Sequence, residues 1–213
     1  MTFVFLLNWA GIAFFAATGA LSASRKQLDI IGFMFLGTIA GIGGGTLRDL
    51  LLDVDVFWIK EPAYILICAL SAGAVYFIAH HLESRYRLLL WLDALGLAAY
   101  GIYGAHKGLM VTGSPIIAVV TAMLTGAFGG ILRDVVAGEP SMLLRKDLYI
   151  SAVMVGACAF VVAQTVLGIA QMPALIIGFT LTFAIRAGSL IFGWTLPSYK
   201  SRPGRPIIPE GEQ

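Results

Sequence analysis

Gly41-Ile42-Gly43-Gly44-Gly45-Thr46-Leu47-Arg48-Asp49 decides how this chain is read, because it occurs twice. The second copy is Gly126-Ala127-Phe128-Gly129-Gly130-Ile131-Leu132-Arg133-Asp134, at an offset of 85 residues. The same offset pairs Gly11 with Gly96, Gly19-Ala20 with Gly104-Ala105 and Tyr64-Ile65 with Tyr149-Ile150, and it sets Asn8 opposite Asp93. One register held through so many separated matches is an internal duplication. It covers residues 3–82 and 88–168.

The two copies lie within long apolar runs. Hydrophobic residues make up 59% of the chain, charged residues only 12%, and the mean hydropathy is +0.88. A soluble domain of 213 residues needs more polar surface than this. Runs of about 20 apolar residues can cross a bilayer as helices, and they are expected at Phe3–Ala23, Leu28–Leu52, Pro62–Ala79, Leu88–Ala105, Pro115–Val136, Leu148–Gly168 and Pro173–Phe192. Short alternating strands of a membrane barrel are not seen. The fold class that follows is an all-α membrane protein of seven transmembrane helices: two three-helix repeats plus a seventh helix. The first run lacks a preceding basic residue and has a counterpart in the second repeat, so it is read as a helix rather than a signal peptide. Residues 1–196 form one transmembrane domain, and 197–213 are expected to be a disordered tail.

Three helices per repeat means that the second copy enters the membrane from the opposite side, so the repeats are inverted. Loop charges give the orientation. Arg25, Lys26, Arg85, Arg87, Arg145, Lys146, Lys200, Arg202 and Arg205 fall on the side of the carboxyl terminus, against Lys60 and Lys107 on the other. The positive-inside rule then places the carboxyl terminus in the cytoplasm and the amino terminus outside.

The glycines and the Arg-Asp pairs of helices two and five are the candidate functional residues. Gly43, Gly44 and Gly45, with Gly129 and Gly130, are each unfavourable in a helix interior by about 1 kcal/mol relative to alanine. One reading is a break near the midplane, where unwound backbone faces a water-filled path. The other is close packing, since Gly37, Gly41 and Gly45, and Gly126 and Gly130, recur every fourth residue. Arg48-Asp49 and Arg133-Asp134 follow one turn later, toward opposite faces of the membrane. Adjacent helical residues do not face each other, so each arginine is expected to find another acceptor: Asp93 for Arg133, and Asn8 for Arg48. Snorkelling to lipid headgroups is the alternative.

The remaining residues say less. Arg186 is expected to reach the cytoplasmic surface or to line the path. Cys68 and Cys158 read as buried packing residues, and His80, His81 and His106 as interfacial ones. Trp9, Trp58, Trp91 and Trp194 fall near span ends, as aromatic anchors do. No nucleophile–base arrangement suggests an enzyme, no ligand spacing suggests a metal site or another cofactor, and no basic cluster suggests nucleic acid.

Seven spans, inverted repeats, Gly-Gly-Gly-Thr-Leu-Arg-Asp and the second Gly-Gly-Ile-Leu-Arg-Asp together resemble the prokaryotic branch of the trimeric intracellular cation (TRIC) channel family, over roughly residues 3–195. The resemblance implies a homotrimer in a prokaryotic inner membrane, with one pore per subunit. It implies helices two and five bent at Gly43, Gly44, Gly45, Gly129 and Gly130, and permeation by monovalent cations, chiefly potassium, with sodium as a second permeant ion. Arg48, Asp49, Arg133 and Asp134 match the family motif, and Asp93 and Asn8 are added as pore-lining or gating candidates. Beyond lipid, no partner is expected other than further copies of the chain. A secondary transporter of a small zwitterion such as glycine is the alternative, since a broken helix also suits a carboxylate and an ammonium group. A purely structural membrane protein with straight, packed glycine helices is the third reading.

Overall fold

The computed structural model describes residues 2–81 and 84–197. The tail expected to be disordered lies outside the described residues from position 198 onward. Seven main helices span Thr2–Arg25 (α1), Ile30–Leu51 (α2), Ala63–Ile78 (α3), Arg85–Thr112 (α4), Pro115–Val136 (α5), Ile150–Thr165 (α6) and Gln171–Phe192 (α7). A helical turn, Phe57–Lys60, precedes α3, and 3₁₀ turns occupy Ala79–His81 and Met142–Leu144. Six helices are long and apolar enough to cross a membrane, and α6 is a shorter apolar one. The fold is the expected one, two inverted three-helix repeats and a seventh helix.

Local chemistry sets the boundaries. Asp29 caps α2 by accepting from the Gly32 amide at 2.8 Å, and Ser114 caps α5, whose first residue is Pro115. Both α2 and α5 end in a left-handed residue at equivalent positions, Asp53 (φ 51°) and Gly138 (φ 60°). The bonds around these two turns are the same, Val54 N–H to Asp49 C=O and Glu139 N–H to Asp134 C=O. The largest departure from expectation is α4, which has 28 residues and runs beyond Ala105 to Thr112. At a rise of about 1.5 Å per residue it is longer than the hydrocarbon core. It therefore carries His106 and Lys107 on its last two turns. His106 is buried against Phe160 and bonded to Gln171, which corrects its placement at the interface. α6 ends at Thr165, three residues short of the expected span.

Helix packing respects the duplication. α1 packs on α2 and α3 as α4 packs on α5 and α6, and the halves meet through α1 against α4 and α2 against α5. α7 lies on α4 and α6. Large apolar side chains such as Phe35 and Leu50 of α2, Leu66 and Phe77 of α3, Ile116 and Val135 of α5 and Ile191 of α7 stay exposed, as lipid contact requires. Cys158 is also exposed, correcting its expected burial, whereas Cys68 is buried.

Candidate functional site

The α2–α5 contact is built on glycine. A Cβ at Gly44 would fall on the carbonyl oxygen of Thr125, and one at Gly129 on that of Ala40. These two contacts exchange under the 85-residue register. They therefore straddle the pseudo-two-fold axis, which in an inverted repeat lies at mid-depth. The α1–α4 contact behaves alike, with Gly11 against Tyr100 and Gly96 against Phe15.

The expected helix break at Gly43, Gly44 and Gly45, and at Gly129 and Gly130, is not present. α2 and α5 are continuous α-helices through these residues, and none of these glycines has a positive φ. Close packing is the physical reason. Without side chains the two backbones approach until each carbonyl occupies the other's missing Cβ, and every backbone group keeps its helical partner.

One turn past the crossing on each helix lies a buried ionic cluster. Arg48, Asp49, Asp93 and Arg133 are fully buried and Asp134 nearly so, which excludes snorkelling. The clusters share a core. Arg48 Nε donates to Asp49 Oδ1 at 2.7 Å, and Arg133 Nε to Asp134 Oδ1 at 2.9 Å. The second carboxylate oxygen accepts a backbone amide eight residues on, Phe57 N–H at 3.0 Å and Met142 N–H at 2.9 Å. Each aspartate thus fastens the end of its helix to the turn that starts the return. The rule that adjacent residues do not face each other fails here. The arginine arm is long enough to fold back on a carboxylate at the last turn, in an interior with few other acceptors.

Beyond this core the clusters differ. Arg133 Nη1 donates to Asp93 Oδ1 at 3.0 Å, the pairing expected from sequence, and to Thr18 Oγ1 at 2.8 Å. Its Nη2 meets Met142 Sδ at 3.5 Å. The expected Arg48–Asn8 contact is absent: Asn8 Nδ2 donates to the Tyr64 hydroxyl at 3.0 Å, and the amide oxygen that could accept from Arg48 is buried without a partner. Arg48 lies among the rings of Phe57, Tyr100 and Tyr103, its Cζ 5.8, 5.8 and 5.0 Å from their centroids. Lys107 Nζ reaches Asp49 Oδ1 at 2.8 Å. Arg186 is fully buried rather than at the surface, its guanidinium over the Tyr149 ring and 3.8 Å from Asp147.

Lys107, Thr18, Met142, Tyr149 and the three aromatic rings are site residues that the sequence reading passed over. The only advance signal was register: Tyr64 and Tyr149 are equivalent, as are Phe57 and Met142. Among the described residues there is no cluster of three His, Cys, Asp or Glu side chains able to hold a metal.

Fold and site together define a class, the inverted-repeat membrane proteins with one buried Arg-Asp cluster on each side of a central helix crossing. Comparison narrows the class to a family. A family model described as "Glycine transporter" matches residues 5–81 and again 90–165. The inner membrane protein YadS of Escherichia coli is 33% identical over 92% of this chain and 96% of its own, and the membrane protein YvgT of Bacillus subtilis 36% identical over the same shares. Both carry the family designation UPF0126. A solved structure described as a TRIC trimeric intracellular cation channel orthologue from Rhodobacter sphaeroides is 47% identical, covers 91% of this chain and 100% of its own, and superposes with a TM-score of 0.88. A prokaryotic TRIC channel solved in 0.5 M KCl is 28% identical, with a TM-score of 0.83 over 91% of this chain and 98% of that one. The chain belongs to this family, the prokaryotic branch of the TRIC fold.

Proposed function

We propose that the chain is a homotrimeric cation channel with potassium as its main permeant ion. One path runs in each subunit between α2 and α5, past the two Arg-Asp clusters. The observation that carries the reading is the pair of buried ionic clusters on either side of the Gly44–Gly129 crossing. Ionisable groups buried in a membrane protein are costly and collect on ion or substrate paths. Asp49, Asp93 and Asp134 supply carboxylate oxygens to a passing cation once the arginines yield them. The glycine crossing is the closed gate: with each carbonyl in the other's Cβ position, an ion passes only when α2 and α5 separate. The kinship with a solved cation channel orthologue at 47% identity supports the same reading. The amino terminus lies outside and the carboxyl terminus in the cytoplasm. This orientation rests on the asymmetry of the loop charges, and the inner-membrane location on the YadS relative.

The description of the matching family model favours a second reading, transport of glycine. Purified protein in liposomes separates the two. A channel gives voltage-driven potassium flux that does not saturate, with unitary currents in planar bilayers. Saturable, glycine-specific uptake without such currents refutes the channel and establishes the transporter.

A further inference from the structure

The outer cluster, around Arg48, leaves guanidinium donors unpartnered that its inner counterpart, around Arg133, brings into contact. Three groups accept from the Nη atoms of Arg133: Thr18, Asp93 and Met142. Their equivalents around Arg48 under the 85-residue register are Tyr103, Asn8 and Phe57. None of these accepts from Arg48. Tyr103 and Phe57 pack their rings on it, and Asn8 gives its amide N–H to Tyr64 while its Oδ1 stays unpartnered. Both Nη1 and Nη2 of Arg48 are therefore buried without a partner, as is the hydroxyl of Tyr100 beside them. The rings favour the guanidinium's charge but accept no in-plane hydrogen bond from its Nη groups.

The charge count points the same way. Arg48 and Lys107 share a single carboxylate, that of Asp49, so the outer cluster has one surplus positive charge. Arg133 faces two carboxylates, Asp93 and Asp134. An unpaired buried charge is strongly unfavourable, and the acceptor best matched to two parallel guanidinium N–H groups is a planar carboxylate. Tyr103 and Lys107, one turn apart on α4, are both only half-buried and are the members of the cluster nearest the surface.

The geometry points to a small-carboxylate site at Arg48, in which Nη1 and Nη2 take the two carboxylate oxygens and the Tyr100 hydroxyl supplies a further donor. Occupancy neutralises the surplus charge of the outer half of the path. The site stands whether the path conducts cations or not.

The test uses full-length protein in nanodiscs, titrated with sodium acetate against sodium chloride at constant ionic strength and followed by calorimetry and thermal unfolding. Wild type should show saturable heat and stabilisation with acetate and not with chloride. Arg48→Lys, which removes the fork but keeps the charge, should weaken acetate binding at least ten-fold. Asn8→Asp rebuilds the inner arrangement by giving Arg48 its missing carboxylate. It should abolish acetate binding while keeping the wild-type circular dichroism spectrum and unfolding temperature or raising the latter. Absence of saturable binding in wild type overturns the site and leaves water as the partner of Arg48. Equal responses to acetate and chloride, or unchanged binding in folded Asn8→Asp, overturn it as well.

Discussion

Gly44→Ala is the sharpest probe of the α2–α5 crossing. The added Cβ would sit on the Thr125 carbonyl oxygen, 3.0 Å from its carbon and 3.3 Å from the Thr125 Cα. The oxygen is the limiting contact, and bringing it and the carbons back to packing distance, about 3.5–4.0 Å for carbon pairs, parts the helices by about an ångström. Nothing flexible can yield, because the obstructing atoms are backbone. Overpacking of this kind costs about 1–3 kcal/mol. Gly129→Ala meets Ala40 in the same way and should cost the same. The double variant should cost less than the sum, because one separation relieves both clashes. Gly73→Ala is the control: its Cβ would meet nothing within 4 Å, and better helix propensity should leave stability unchanged or raised by up to about 1 kcal/mol. Unfolding in detergent followed by circular dichroism measures stability, and potassium flux in liposomes reports the path. Flux should rise in Gly44→Ala if the crossing is the closed gate. Unchanged stability and flux in Gly44→Ala, or additive costs in the double variant, would refute the close-packed crossing.

The ionic clusters give three further expectations. Asp49→Asn leaves Arg48 and Lys107 without their only carboxylate and should cost about 3–5 kcal/mol, whereas Asp134→Asn leaves Asp93 on Arg133 and should cost less; unfolding in detergent that ranks them the other way contradicts the charge count. Arg186→Met should cost no more than about 1 kcal/mol, since Arg186 has only a 3.4 Å bond to the Leu148 carbonyl and a 3.8 Å approach to Asp147, while Arg133→Met should cost several times more in the same assay. Glu139→Gln, which removes the partly exposed 3.2 Å bridge between Arg25 and the loop after α5, should lower stability by less than about 1 kcal/mol, and the loss should vanish at high salt.

The parts of this molecule that were legible in the sequence are those the chain records along its own length. Repetition fixed the three-plus-three-plus-one architecture, because one offset recurs in every helix of both halves. It also gave Arg133–Asp93, since both residues come to the same depth from opposite directions. The fate of the glycines was not legible. A Gly-Gly-Gly segment permits unwinding and close approach equally. What decides is the surface opposite, where Ala40 and Thr125 offer bare carbonyls at the right height. Lys107 was hidden for a related reason: a basic residue between His106 and Gly108 reads as loop, whereas in the fold the helix continues past it and Lys107 reaches Asp49. Asn8 misled by symmetry, since its equivalence to Asp93 holds for position and not for charge: its N–H goes to the Tyr64 hydroxyl and its oxygen stays unpartnered rather than drawing in Arg48.

That last difference bears on what duplication leaves behind. The backbone scheme is identical in both halves, down to the left-handed residue after α2 and α5 and the carboxylate that holds the next turn. The side chains around the guanidinium have diverged. Arg133 ties α5 to α1 through Thr18 and to α4 through Asp93, so moving α5 breaks bonds to two neighbouring helices. The direct hydrogen bond of Arg48 stays on its own helix, and α2 meets α4 through the Lys107–Asp49 pair and the packing of Arg48 on the Tyr100 and Tyr103 rings. Around the guanidinium itself, moving the Arg48 end of α2 breaks fewer direct side-chain bonds to neighbouring helices than moving the Arg133 end of α5. The symmetric skeleton thus holds one arginine by bonds to two neighbouring helices and the other by bonds within its own helix and by ring packing.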